Sequence, residues 1–188
     1  MRLLLADNND SFTRNLEHLL MAATAITPQV APYAALKDMA PEHYDCIVIS
    51  PGPGHPREYP DYARFLDSGV PVLGICMGMQ IINSHFGGTT SRLPASMGGA
   101  HGKQGDILME GTVRTVARYH SLHCDTVGEG LRITATLREQ NPDGPPVVMA
   151  LQHESRPLMG YQFHPESFLT PNGTWYIEHA LRFFRLCQ

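Results

Sequence analysis

Gly74-Ile75-Cys76-Met77-Gly78 sets one nucleophile between two glycines, with an apolar strand-like run before it and a helix-like run after it. That is the spacing of a nucleophile elbow, G-x-S-x-G, with cysteine in place of serine. A strand-to-helix turn so sharp strains its central residue, and a Cβ at either flanking position would meet neighbouring backbone. The sulfur would stand at the end of a strand and at a helix N-terminus, whose free N–H groups favour an anion. By residue type alone, a packed structural cysteine between glycines reads the same way. A thiolate nucleophile needs a proton shuttle, and ten histidines are available. His164 is distinctive because it ends an apolar run in Gln162-Phe163-His164-Pro165-Glu166-Ser167. In extended backbone, His164 and Glu166 point to one side. A carboxylate beside an imidazole fixes its tautomer and stabilises the imidazolium. Taken alone, His-Pro-Glu is equally a solvated turn. The third element is Ser50-Pro51-Gly52-Pro53-Gly54. Its Gly52 N–H, with that of Met77, can form an oxyanion hole for a tetrahedral intermediate; a plain Pro/Gly turn is the simpler reading of that loop by itself.

The elements that must position these residues are legible as alternating runs. Leu3 to Ala6, Cys46 to Ile49 and Val70 to Ile75 are continuous apolar runs expected as buried strands, with a weaker one at Val30 to Tyr33. A helix is expected after Asp10 or Ser11 as cap, with Phe12, Leu16, Leu19, Leu20 and Ala23 on one face. Further helices are expected over Tyr59 to Leu66 and Met77 to Phe86, stopped by Gly87-Gly88. From Asp106 the pattern becomes β-rich. Strands are expected at Asp106–Met109, Thr112–Val116, Leu131–Leu137, Val147–Leu151 and Met159–Phe163, with turns at Asn141-Pro142-Asp143-Gly144 and Arg156-Pro157. A closing helix runs from Thr174 to Leu186, with Ile177, Ala180, Leu181 and Phe184 on its apolar face. The fold class is α/β: a mostly parallel central sheet with helices on both faces and a β-rich second half. The 188 residues suit one domain, 1–188.

Composition removes several function classes. Apolar residues are 43% and charged residues 17%, which argues against a disordered chain. The net charge of −4 and the lack of a basic patch argue against nucleic acid as partner. No apolar stretch reaches the ~20 residues needed to span a bilayer. The run after Met1 is too short for a signal peptide, and Cys46, Cys76, Cys124 and Cys187 form no C-x-x-C pair, so the cytoplasm is expected. His120, His123 and Cys124 cluster in sequence but lack a fourth zinc ligand, and neither metal nor cofactor is expected in this chain.

Taken together, the chain resembles the class I (triad) glutamine amidotransferases. Gly74-Ile75-Cys76-Met77-Gly78-Met79-Gln80 looks like the family's G-[VI]-C-x-G-x-Q, and Gly160 to Ser167 looks like its G-x-Q-F-H-P-E-S. Asp7-Asn8-Asn9-Asp10-Ser11-Phe12-Thr13, Ile49 to Gly54, His101-Gly102-Lys103 and Arg118-Tyr119-His120-Ser121-Leu122 extend the likeness across the chain. Within the family it is most similar to the glutaminase component of anthranilate synthase and aminodeoxychorismate (para-aminobenzoate) synthase. The resemblance implies a flavodoxin-like fold, Cys76, His164 and Glu166 as catalytic residues, and Gly52 and Met77 as oxyanion donors. It also implies that Gln80, Ser121 and Leu122 hold the amino-acid end of L-glutamine, and that ammonia passes to a larger chorismate-binding subunit. Met79 stands where the chorismate-linked branch usually has His and the GMP and CTP synthetases have Met; Asn9 replaces Tyr. The alternatives are a glutaminase for another acceptor such as a two-chain GMP synthetase, a γ-glutamyl peptidase, and an inactive regulatory homologue.

Overall fold

The computed structural model describes residues 1–93, 102–138 and 146–186. His101, Cys187 and the expected turn at Asn141-Pro142-Asp143-Gly144 lie outside the described residues. The strands are β1 (Leu3–Asp7), β2 (Gln29–Pro32), β3 (Cys46–Ile49), β4 (Val72–Ile75), β5 (Thr89–Arg92), β6 (Lys103–Met109), β7 (Thr112–Arg118), β8 (Leu122–Thr126), β9 (Leu131–Leu137), β10 (Val148–His153) and β11 (Leu158–Tyr161). The α-helices are α1 (Thr13–Thr24), α2 (Ala63–Leu66), α3 (Met77–His85) and α4 (Gly173–Phe183).

Nine strands form one sheet in the order β2-β1-β3-β4-β11-β10-β9-β6-β7, and β5 and β8 pair separately. The pairings among β2, β1, β3, β4 and β11 are parallel. From β11 onward, β10, β9, β6 and β7 add antiparallel neighbours, which is the β-rich second half.

Side chains alternate across a strand, so each central strand feeds two cores. Leu3, Leu5, Cys46, Val48, Leu73 and Ile75 pack on one face against Leu16 and Leu20 of α1 and Ile177, Ala180 and Leu181 of α4. Leu4, Ala6, Ile47, Ile49 and Val72 pack on the other against Phe65 and Leu66 of α2 and Ile81 and Ile82 of α3. Helices therefore cover both faces, as the alternating runs imply.

Four local expectations are corrected. Phe12 occupies the cap position of α1, with no side-chain cap bond of its own, and neither Asp10 nor Ser11 does. Asp10 still serves the turn, because its carboxylate accepts the Phe12 N–H at 2.8 Å and its carbonyl accepts the Thr13 N–H at 3.2 Å. Tyr59 to Leu66 is not one helix: Pro56 and Pro60 each start a short 3-10 turn, leaving only α2 as α-helix. Proline at a first turn is tolerated but prevents a helix from running through it. Closing helix α4 stops at Phe183, and β11 stops at Tyr161, ahead of Phe163.

Candidate active site

The carboxyl ends of the parallel strands converge on one cavity of about 560 Å³. Ligands in open α/β sheets lie beyond such strand ends. Cys76 follows β4 directly and precedes α3, with φ 52° and ψ −100°. Left-handed backbone at a residue with a Cβ is strained by about 1–3 kcal/mol and persists only where its surroundings enforce it. Here backbone crowding enforces it. A Cβ on Gly74 would lie 2.4 Å from the Gly78 carbonyl carbon, and one on Gly78 would lie 2.5 Å from the Ile49 carbonyl oxygen. Gly160 of β11 pairs in register with Gly74; a Cβ there would lie 2.5 Å from Met79 Cγ. Two adjacent glycines thus form a floor on which the first turn of α3 rests. The Cys76 N–H donates to the Tyr161 carbonyl at 2.7 Å, tying the elbow to β11.

β11 also leads to His164. The imidazole Nδ1 stands 2.7 Å from Glu166 Oε1, and both side chains are buried. The backbone is locked from the β7 side: the His164 N–H donates to the Ala117 carbonyl at 3.1 Å, and the Thr170 hydroxyl accepts the Ala117 N–H at 2.9 Å and donates to the His164 carbonyl at 2.6 Å. The ring is flanked by Tyr119 and Phe12, at centroid distances of 5.0 and 5.3 Å. Burial lowers the His164 pKa, but the charge of Glu166, then that of the Cys76 sulfur, and hydrogen bonding to both outweigh it and hold it well above the usual imidazole range. His164 Nε2 is buried without a partner of regular geometry. That nitrogen can therefore take up a contact to the sulfur or to substrate when the site is filled. Gln162 donates from Nε2 to the Cys76 sulfur at 3.5 Å.

Gly52 follows β3. A Cβ on it would lie 2.6 Å from Asn8 Cβ, so only glycine lets the loop lie this close to the turn after β1. Asn8 is the hub. Its Nδ2 donates to the Ser50 carbonyl at 2.9 Å, its N–H donates to Ser50 Oγ at 2.9 Å, and its Oδ1 accepts the Tyr62 hydroxyl at 2.6 Å. The Tyr59 hydroxyl donates to the Pro53 carbonyl at 2.8 Å. Gly52, Cys76, Met77, Gln80, Ser121, Leu122 and His164 all line the cavity; Glu166 stands behind His164. Gln80 donates from Nε2 to the Leu122 carbonyl at 3.2 Å and to Gln162 Oε1 at 3.0 Å, while its own Oε1 is buried without a partner. A sulfur nucleophile, an imidazole held by a carboxylate, and glycine-loop and helix-start N–H groups around one cavity make a site suited to acyl transfer.

A family model described as glutamine amidotransferase class-I matches residues 4–183. The chain belongs to this family. An anthranilate synthase component II from Haloarcula marismortui is 37% identical over 187 residues, spanning 92% of this chain and 87% of that protein. An aminodeoxychorismate synthase from Streptomyces griseus is 40% identical over 187 residues, spanning 92% of this chain but 25% of that protein. A crystal structure described as a GMP synthase subunit from Thermoplasma acidophilum superposes with a TM-score of 0.78 at 19% identity, covering 98% of this chain and 94% of that one, which shows a shared fold.

In this glutamine amidotransferase several residues that hold the cavity in shape are not marked by the sequence as such. Gln162, Tyr119 and Asn8 fall in motifs, Phe12 on the apolar face expected for the first helix and Tyr62 inside the expected helix Tyr59 to Leu66, none with a role at the site. Gln162 carried a signal, its place two residues before His164 in the Gly160-to-Ser167 stretch, and its amide is fully buried. Asn8 and Tyr62 carried none, because their bond joins residues 54 apart in sequence. His120, His123 and Cys124 do not converge; among the described residues no group of three or more His, Cys, Asp or Glu is arranged to hold a metal. The His120 Nδ1–H donates to the Leu122 carbonyl at 2.9 Å, and burial, then the Arg118 charge, depresses its pKa to about 3, so its ring is neutral. His123 Nε2 lies 3.2 Å from Ser91 Oγ, and Cys124 packs among Met79, Val148 and Leu151. Met79 itself is fully buried and packs with Cys124, Val148 and Leu151.

Proposed function

We propose that this glutamine amidotransferase is the glutaminase component of a chorismate-using synthase. It releases ammonia from L-glutamine for a larger subunit that makes anthranilate or 4-amino-4-deoxychorismate. The observation that carries the reading is the strained Cys76 beside the buried His164–Glu166 pair in a cavity of about 560 Å³. Relatives named as anthranilate synthase component II and aminodeoxychorismate synthase, at 37% and 40% identity, support the acceptor.

The roles follow from position. Glutamine enters with its carboxamide at Cys76 and its amino-acid end toward Gln80, Ser121 and Leu122; the unpartnered Gln80 Oε1 offers an acceptor to the ammonium group. The Cys76 sulfur attacks the carboxamide carbon, and the carbonyl electron pair moves onto oxygen, which the N–H groups of Gly52 and Met77 receive. His164 gives its proton to the departing nitrogen, the C–N bond breaks, and ammonia leaves a γ-glutamyl thioester on Cys76. His164 then takes a proton from water, whose oxygen attacks the thioester carbon. The C–S bond breaks and glutamate departs. Glu166 keeps Nδ1 protonated and Nε2 aimed at the sulfur side throughout. Direct transfer to the second subunit has a physical reason: ammonia in neutral water is mostly ammonium, which has no lone pair to attack with. A cytoplasmic setting belongs to the same reading and is supported by free thiols at Cys46, Cys76 and Cys124.

The test mixes this chain with its native synthase subunit, chorismate and glutamine, and identifies the aromatic product. An aminated chorismate derivative supports the proposal, and Cys76→Ser should then abolish the glutamine-dependent route while leaving amination by added ammonia. Glutamate release with no chorismate product under any partner condition would overturn the acceptor.

A further inference from the structure

Phe168 is 91% exposed, far more than the next large hydrophobic among the described residues, Leu108 at 47%. It does not sit on a loose segment. His164 to Ser167 before it and Thr170 after it are buried, and its direct neighbour Leu169 is half-buried. The Ser167 N–H donates to the His164 carbonyl at 3.3 Å, and the Thr170 N–H donates to the Ser167 carbonyl at 2.9 Å. The Leu169 N–H donates to Ser167 Oγ at 3.2 Å, and the Leu169 carbonyl accepts from Gln104 Nε2 at 2.8 Å. A phenyl ring is thus held in water at the tip of the same turn that carries the imidazole and its carboxylate.

The turn also connects to the cavity rim. Ser167 Oγ is 3.0 Å from the Tyr119 hydroxyl, and Tyr119 lines the cavity and packs on His164. Around the mouth the exposed residues are small and mostly polar, Asn9, Ser11 and Ser121, with Pro53 and Gly54 of the glycine loop. One aromatic anchor beside a polar rim is how the centre of a protein interface is built. Phe168 does not line the cavity itself but stands on the turn whose Ser167 reaches the rim through Tyr119, whereas the exposed Leu108 and Val113 face each other across the β6–β7 hairpin.

We propose that Phe168 is the apolar anchor on which the synthase subunit seats over the glutamine cavity, and that this contact stiffens the His164–Thr170 turn and so raises glutaminase turnover. The inference rests on the acceptor reading above. Its occupant is argued from the relatives. Three quarters of the Streptomyces griseus protein lies outside the region this chain matches, and the Haloarcula marismortui protein of similar length is named as one component. A domain that occurs both fused to a larger region and as a separate component needs a surface for that region, and ammonia handed over directly must cross this rim.

The test compares wild type, Phe168→Ala, Phe168→Asp and the control Leu108→Asp, each purified and titrated with the native synthase subunit. Phe168→Asp should weaken binding by about 30-fold or more, the range of an interface hot spot, and Phe168→Ala by about 10-fold. The partner-induced rise in kcat for glutamine should fall in step, while the glutaminase activity of the lone chain stays within about twofold. Phe168→Leu, which keeps an apolar side chain, should retain most of the binding and guards against misfolding. Wild-type affinity and stimulation in Phe168→Asp, or equal weakening by Leu108→Asp, would overturn the anchor while leaving the acceptor reading intact. A wild-type pair that neither binds nor aminates chorismate would instead overturn the acceptor reading, and the anchor with it.

Discussion

Cys76 and His164, the proposed catalytic pair, are held by opposite means. Cys76 is positioned largely through glycines of its own segment: Gly74 and Gly78 lie within two residues of it and let the backbone of α3 and of Ile49 close in, with Gly160 beside Gly74 completing the floor. His164 is positioned by groups brought from elsewhere, the Ala117 backbone, the Thr170 hydroxyl, and the rings of Phe12 and Tyr119. A local elbow fails as a unit when its sterics are violated. A side-chain cradle loses function by degrees as its contacts are removed.

Three substitutions grade that contrast. The largest effect is expected from Gly74→Ala. The added methyl has backbone on its far side, not a flexible side chain that can yield, and denaturant unfolding should show a loss of about 3 kcal/mol or more. Glu166→Gln comes next, and it should leave stability largely intact while lowering kcat by about 100-fold. It also removes the negative charge that helps hold the His164 pKa up against burial. His164 then loses its proton at lower pH, so the alkaline limb of the kcat/KM profile should move down; an unmoved limb would mean that Glu166 does not act on the imidazole. The smallest effect is expected from Tyr119→Phe. It deletes the hydroxyl contact with Ser167 and keeps the ring against His164, at a cost of about 1 kcal/mol in stability or about fivefold in kcat.

The same contrast explains what could be read from the sequence. β1, β3 and β4 announce themselves as unbroken apolar runs because both of their faces are covered, and α4 does so through Ile177, Ala180, Leu181 and Phe184 at helical spacing. The elbow is legible because its cause is local, a glycine two residues to either side. β5 and β8 gave no such signal. Thr89-Thr90-Ser91-Arg92 is polar and half-exposed, and its pairing with β8 places His123 and Cys124 at that strand's buried positions where sequence order suggested only a cluster. The fastening of the Gly52 loop was likewise hidden, because Asn8 reaches Ser50 and Tyr62 across 42 and 54 residues. The cap of α1 was misread since two residues suited to capping precede Phe12, and the chain places the aromatic there to pack on Tyr119 and His164.

The account stands on one sulfur being the acyl acceptor. Burial lifts the Cys46 and Cys124 thiols to about 12, so neither competes as a nucleophile near neutral pH. Treating the chain with a diazo or chloroketone analogue of glutamine and mapping the adduct by mass spectrometry should therefore give one label, on Cys76, with loss of glutaminase activity in proportion. A label on Cys46, Cys124 or Cys187, or full activity after Cys76 is modified, would contradict it.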